Sequence, residues 1–334
     1  MRVDLSAAAL DLWARQPGWS LPLWPLEACY RSLVLTRRLA YGNGWLPSCK
    51  VDKPVIVVGN VTLGGTGKTP VVMALVEALA RHRLRAGVVS RGYGRTRQGG
   101  ACIVNEHTQV QDCGDEPLMM YRRLKCPCVV ATRRLEAARL LLDHFFVDVV
   151  ICDDGLQHYA MQRDLEIAVV DSQYGYGNGR CLPIGPLREP LSRLAEVDFV
   201  LERAGREAET AVPFHLDALV QLNSGAELPA SAKSLGRQVY AVAGVGQPAL
   251  FLEALQQTGF EASVRLFGDH HRYQTDDFAG MNDRPIIMTE KDAVKCRGLV
   301  GDNAWYLKIS AVLPTAVVDR VVSLAATQAG NSSA

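Results

Sequence analysis

The run Gly59-Asn60-Val61-Thr62-Leu63-Gly64-Gly65-Thr66-Gly67-Lys68-Thr69-Pro70 holds the residue types that most directly describe a chemistry. Closely spaced glycines let successive backbone N–H groups converge on a phosphate. The lysine adds a point charge to the β/γ oxygens, and the next hydroxyl suits Mg2+. The spacing departs from the pattern GxxxxGK[ST] at Thr62, where glycine is expected, and Gly64-Gly65 is supplied instead. Thr62, Leu63, Gly64, Gly65, Thr66, Gly67, Lys68 and Thr69 are thus the nucleotide-binding candidates, with Thr69 also a metal ligand candidate. Asp153-Asp154, ending the apolar run Val147–Cys152, is a second phosphate-site signal, because carboxylates at a strand terminus can hold Mg2+. Paired acids there also serve as N-caps. Arg188-Glu189, after the turn Gly185-Pro186, offers a phosphate clamp, although such a loop pair is commonly just solvated.

These residues need a scaffold, and the chain supplies a repeating one. After Pro54 short β-branched runs alternate with Gly- or Arg-rich turns and helical stretches: Val55–Val58, Gly87–Ser90, Cys128–Ala131, Val147–Cys152, Ile167–Asp171 and Val197–Leu201. Nearly all are too apolar to have a wet face, which predicts a parallel sheet covered by helices on both sides. The turns that follow the first five runs (GNVTLGGTGKT, RGYGR, TRR, DDGLQH, DSQYGYGNGR) then gather beyond the carboxyl ends of the strands, where open α/β sheets bind ligands. A mixed stretch with one alternating run, Phe214–Leu222, predicts a β-ribbon linker, and a second βα series begins at Val239. The expected division is an N-terminal segment 1–50, a P-loop domain 51–205, a ribbon 206–238 and a smaller α/β domain 239–334.

Composition narrows the partners. The 334 residues carry 36 basic and 35 acidic side chains, so no basic excess marks a nucleic-acid binder. Nine scattered cysteines without a CxxC pair read as reduced thiols. The first fifty residues stand apart, with Trp13, Trp19, Trp24 and Trp45, and six basic residues against three acidic ones. Asp4, Asp11, Arg15, Glu27 and Arg31 interrupt every run that could span a bilayer or serve as a signal peptide. Helical spacing from Leu26 to Tyr41 predicts either an in-plane membrane helix or one packed on the protein's own core.

In their order, GNVTLGGTGKTP, SRGYGR (Ser90–Arg95), GDEP (Gly114–Pro117), DDGLQH (Asp153–His158), GPLREP (Gly185–Pro190), FGDHHRY (Phe267–Tyr273) and MTEKDAVK (Met288–Lys295) resemble the tetraacyldisaccharide 4′-kinase family across essentially the whole chain. The resemblance implies a P-loop NTPase-like kinase with a second α/β domain joined by a β-ribbon, peripheral on the cytoplasmic face of the bacterial inner membrane. It would phosphorylate the 4′-hydroxyl of a glycolipid disaccharide 1-phosphate with ATP and Mg2+, and no obligate protein partner is implied. The resemblance also makes Asp115 the catalytic base and His270 its partner, with Lys68 and Arg188 completing the catalytic set. Glu116 joins Asp153 and Asp154 as metal candidates, while Asn60, Arg91, Tyr93 and Arg134 become substrate candidates. By residue type alone, Asp115 is a helix-start carboxylate ahead of Pro117, and His270-His271 is a solvated loop pair.

Two other readings compete. A partitioning-type ATPase shares GGxGKT but needs a lysine where this chain has Leu63. A GTP-binding switch would read guanine with [NT]KxD, and Thr289–Asp292 displaces that lysine by one position.

Overall fold

The computed structural model describes Trp13 and residues 22–96, 99–205 and 207–331. Asp4, Asp11 and Arg15, named above as interrupting a span, and Trp19 lie outside the described residues. After helix α1 (Trp24–Gly42) the first half of the chain runs β1 (Val55–Gly59), α2 (Lys68–Arg81), β2 (Ala86–Ser90), β3 (Cys102–Ile103), α3 (Val110–Cys113), α4 (Asp115–Leu124) and β4 (Cys128–Val130). It continues with α5 (Arg134–His144), β5 (Val149–Asp153), β6 (Leu165–Asp171), β7 (Phe199–Arg203) and β8 (Ala211–Val212). These strands form one sheet in the order β3-β4-β2-β5-β1-β6-β7-β8, parallel except for the β3–β4 pair. All five residues of β1 are buried, as central parallel strands require.

The remaining elements are β9 (Phe214–Gln221), β10 (Glu227–Pro229), α6 (Ala232–Leu235), β11 (Gln238–Ala243), α7 (Pro248–Gln257), β12 (Glu261–Leu266), β13 (Ile286–Thr289), α8 (Glu290–Cys296), β14 (Ala304–Ala311) and α9 (Thr315–Asn331). They build a second sheet in the order β10-β9-β14-β13-β11-β12. The alternating run expected to be a linker does form an antiparallel ribbon, β9 with β10, but β9 also pairs antiparallel with β14 and so belongs to the second sheet. Its alternation shows in the first half of the strand, where His215 and Asp217 are exposed, whereas Ala218, Leu219 and Val220 are all buried. The last helix departs from a simple linear division of the chain. Val317, Val321 and Ala325 of α9 are fully buried in the core that surrounds Val71 and Leu75 of α2, so the C-terminus returns to the first sheet.

Helix α2 follows from its sequence. Pro70 falls in the first turn, where its missing N–H costs nothing, and Val71, Val72, Leu75 and Leu79 form a fully buried stripe. Arg81 closes the last turn, facing the negative end of the helix dipole.

Helix α1 inverts this pattern. Its sole buried residue is Glu27, which accepts hydrogen bonds from the Cys181 backbone N–H (2.9 Å) and from Arg180 (3.1 Å). The Tyr30 hydroxyl donates to the Arg188 carbonyl at 2.8 Å, Arg38 pairs with Glu196, and the Arg37 guanidinium lies over the Tyr41 and Tyr159 rings. The polar side chains thus hold the helix to the protein. Leu26, Leu33, Leu35 and Leu39 face outward, Leu33 at 71% exposure, with Trp45 at 74% just beyond. Among the described residues no helix is long and apolar enough to cross a membrane.

Candidate active site

The loop between β1 and α2 is built to face an anion. Gly67 has φ +90°, and a Cβ there would lie 2.7 Å from the Phe214 ring, so glycine is required both by backbone and by space. Gly64 and Gly65 are exposed at the tip, and Lys68 and Thr69 open the helix. The loop is braced by the GPLREP segment. The Leu63 N–H donates to the Pro186 carbonyl and the Arg188 N–H to the Val61 carbonyl, both at 2.7 Å. This pairing aims the Arg188 side chain at Asp154, with its Nη1 3.0 and 3.1 Å from the two carboxylate oxygens. Lys68 Nζ reaches the same carboxylate at 3.6 Å.

Register alone puts the acid pair beside the loop, since Val58 of β1 aligns with Asp153 of β5. The two neighbours are driven in opposite directions. Burial, reinforced by the nearby charges of Glu116 and Asp154, pushes the Asp153 carboxyl up to about 7 against the pull of Lys68 and Arg134. Burial would raise Asp154 as well, but Lys68 and Arg188 outweigh it and hold that carboxyl down to about 2. Asp153 accepts a hydrogen bond from the Ser90 hydroxyl at 3.1 Å on Oδ2, while its buried Oδ1 has no hydrogen-bond partner. An orphaned carboxylate oxygen beside the Asp154 carboxylate is an all-oxygen setting that fits a hard divalent cation. Among the described residues no three His, Cys, Asp or Glu side chains converge as a self-sufficient metal cage, so nucleotide oxygens would have to share the ion.

Asp115 stands at the first position of α4 and is 2% exposed. Gly114 before it has φ +90°, and a Cβ there would come within 2.4 Å of the Tyr93 carbonyl, so the SRGYGR turn and the GDEP turn are packed backbone against backbone. From the second half of the chain, His270 Nδ1 meets Asp115 Oδ2 at 2.9 Å. Burial works to raise the Asp115 carboxyl, but the His270 hydrogen bond and the charges of Lys291 and Lys295 prevail and hold it below its ordinary range. His270 itself sits at φ +58°, a strained backbone for a residue with a Cβ, and its ring packs on Tyr93 with centroids 4.8 Å apart. His271 faces away, its Nε2 3.0 Å from Asp277 and its ring stacked on Phe267. The structure thus brings His270, and not its neighbour, to Asp115.

Other expected site residues are placed differently. Arg134 is 2% exposed, and its guanidinium donates to the Asp153 and Asp154 carbonyls at 3.4 and 3.2 Å. It buttresses the acid pair from beneath. Asn60 is fully buried with its amide within 3.4 Å of Thr62 Oγ1, which braces the loop. Glu189 turns inward to Gln157 and Tyr159, leaving Arg188 as the outward member of its pair. Arg91 and Tyr93 remain exposed, Tyr93 with its ring on His270. Ser90, Asp269, Lys291 and Lys295 are site residues that reasoning from types did not reach. Their sequence signal was present in SRGYGR, GDHH and TEKDAVK, but a serine ending a strand or a lysine on a short helix carries no role until a partner is known.

Comparisons with known proteins converge. The family described as Tetraacyldisaccharide-1-P 4'-kinase matches residues 19–326. The chain is 43% identical over 313 residues to the tetraacyldisaccharide 4'-kinase of Aeromonas hydrophila, covering 93% of this chain and 94% of that one. It is 42% identical over 320 residues to the protein of that name from Pseudomonas aeruginosa, covering 95% and 96%. In three dimensions it is similar to the apo form of LpxK from Aquifex aeolicus in complex with ATP, with a TM-score of 0.78 and 28% identity over 93% of this chain and 99% of that one.

Proposed function

The chain belongs to the tetraacyldisaccharide-1-P 4'-kinase family, and on that premise we propose that it transfers the γ-phosphoryl group of ATP to the 4′-hydroxyl of a tetraacyldisaccharide 1-phosphate at the cytoplasmic face of the inner membrane. The observation that carries the site assignment is the meeting of Asp115 and His270, from opposite halves of the chain, beside a phosphate loop. The family match over most of the chain also favours a kinase over the partitioning ATPase and the GTP switch.

In this reading the work divides by residue. The loop N–H groups and Lys68 hold the phosphates, while Arg188 and Lys68, both leaning on Asp154, place positive charge where negative charge develops during a loose phosphoryl transfer. Thr69, Asp153, Asp154 and Glu116 are the residues that would hold Mg2+, which supplies charge neutralisation across the phosphates when bound. Asp115, kept ionised, accepts the hydrogen bond of the attacking hydroxyl and then its proton, and His270 fixes the carboxylate's orientation. Arg91 and Tyr93 are the exposed residues positioned to meet the sugar headgroup. ATP turnover measured with and without the disaccharide lipid tests the reading: phosphate transfer that depends on the lipid is expected, and lipid-independent hydrolysis at the same rate would refute it.

Membrane attachment rests on α1. Polar groups pin the helix to the protein while leucines face out, the reverse of what a helix packed on its own core requires, and exposed Trp24 and Trp45 suit a headgroup region. Arg37 and Arg38 are engaged with Tyr159 and Glu196, so the outward leucines make the sharper test. Replacing Leu33, Leu35 and Leu39 with Ser should weaken cosedimentation with anionic vesicles while leaving the protein folded, and unchanged binding would remove α1 from the role.

A further inference from the structure

The phosphate loop is braced at its upstream end by the GPLREP segment, and a different element meets its downstream end. Gly67, the residue before α2, has φ +90° and no side chain with which to cap the helix. The first helical hydrogen bond, from the Val71 N–H to the Gly67 carbonyl, is long at 3.4 Å. Little within the loop therefore fixes that peptide, because the N–H groups around it must stay free for phosphate. Against it stands the Phe214 ring. A Cβ added to Gly67 would lie 2.7 Å from Phe214 Cζ and 3.1 Å from Cε2, so the ring packs directly on the glycine.

Phe214 opens β9, and its backbone pairs with Ala311 of β14 in the second sheet, whereas its side chain packs against the core that contains Val71 and Leu75 of α2. The ring is itself held. The Arg203 guanidinium, 2.6 Å from the buried Asp171 carboxylate, lies 5.8 Å from the ring centroid, and Arg203 Cδ comes within 3.2 Å of the same Cβ position on Gly67. The ends of β7 and β9 thus make a seat under the last turn of the loop. A glycine visits both signs of φ about equally when nothing constrains it, and affinity falls with the fraction of molecules that are competent to bind. A ring packed on its Cα removes the room for the alternatives.

We propose that Phe214 is the positioning residue for the downstream end of the phosphate loop: its ring, carried on a strand of the second sheet, holds Gly67 at positive φ before nucleotide arrives. On the reading of this loop as the ATP site, on which the proposal rests, Phe214 touches no reacting atom and acts only through the Gly67 backbone.

Equilibrium binding of ATP with Mg2+ to the full chain tests this. Phe214→Ala should weaken binding about 10-fold, as expected of a loop that is competent about a tenth of the time. Phe214→Leu, which keeps most of the apolar volume, should weaken it less and carries the comparison if Phe214→Ala does not fold. At saturating ATP and acceptor, kcat should change under about threefold, because bound phosphates re-form the loop. Phe251→Ala, which empties a similar volume in the second core, should lower the Tm comparably and leave ATP affinity within about twofold. The Gly67→Ala background should reverse the sign. That protein binds ATP poorly, through strain at positive φ and through the clash with the ring. Adding Phe214→Ala removes the clash, so the change that weakens ATP binding in the unaltered protein should here strengthen it at least about threefold. Unchanged ATP affinity in Phe214→Ala, a kcat loss as large as the affinity loss, an equal affinity loss in Phe251→Ala, or the same factor lost in both backgrounds would each overturn the assignment. If the unaltered protein does not bind ATP, the nucleotide reading fails, and thermal unfolding without nucleotide still decides the contact. Phe214→Ala should then lower the Tm less in Gly67→Ala than in the unaltered protein, and equal shifts would refute the seat.

Discussion

The nucleotide side and the acceptor side of this site are built in different ways. The first is assembled within one sheet from neighbouring strand ends: β1 runs into Gly64–Thr69, β5 ends at Asp153, and the GPLREP segment pairs with the loop and delivers Arg188. The second exists only where the halves of the chain meet, with Asp115 and Glu116 on α4 and His270, Lys291 and Lys295 on the other half. A side made by strand register is fixed once the sheet forms. A side made across two cores is fixed only as firmly as their interface.

Breaking the nucleotide side should have the largest effect. Lys68→Ala removes the point charge from the loop and should lower kcat by at least about 10³-fold with the fold intact, as judged by circular dichroism and thermal unfolding. Near-normal turnover would dissolve the distinction between the two sides.

On the acceptor side, Asp115→Ala and His270→Ala should each cost kcat, with about 10²-fold or more for Asp115. The double change should cost far less than the product, which steady-state rates of all four proteins would reveal. Fully multiplicative losses would mean that the two residues are neighbours without a shared task.

The interface itself can be loosened at Arg123. This buried guanidinium on α4 donates to Glu290 Oε2 at 2.9 Å and to the Ile309 carbonyl at 2.6 Å, joining the helix of Asp115 to the helix of Lys291. Arg123→Met leaves Glu290 buried without its partner and should destabilise the protein by about 3–5 kcal/mol in denaturant unfolding. It should slow acceptor-dependent turnover more than it weakens ATP binding, since Asp115 and His270 meet only across the interface.

The smallest effect is the most diagnostic of the acid pair. An ordinary aspartate titrates at about 3.9, whereas Asp153 is raised to about 7 and Asp154 lowered to about 2 in the fold. Between about pH 4 and 7 the folded protein therefore binds more protons at Asp153 than the unfolded chain does, so that residue's contribution to stability falls as pH rises through this window. Asp154 has the opposite sign, stabilising above about pH 4 and losing its contribution as pH falls toward 2. In nucleotide-free protein, Asp153→Asn should raise the Tm by a few degrees at pH 8 and by about a third as much at pH 5, and Asp154→Asn should lower it at pH 8. Equal shifts at both pH values for Asp153→Asn would show that burial does not act on its charge.

Legibility in the sequence followed the same division. The apolar runs located the central strands to within two residues at either end, because a parallel strand buried on both faces must be apolar along its length. For Arg134 and Asn60, type and position show that a polar residue lies near a strand end and not whether it faces the ligand or the loop's own backbone. The N-terminal helix could be located by its spacing, but spacing cannot say which face is bound. Glu27, Tyr30 and Arg38 decided that through partners about 150 residues away in the chain.

By itself, then, the sequence determined the local chemistry of this protein. Glycines with a lysine and threonine at a helix start, acids at a strand end and apolar runs of strand length act through backbone geometry over a few residues, and their meaning survives without a partner. Only the tertiary structure decided which histidine of His270-His271 lies against Asp115, what Lys291 and Lys295 face and where the last helix packs. Each of those is a contact between segments roughly 150 or more residues apart, set by how two cores dock, and no pattern within either segment encodes it.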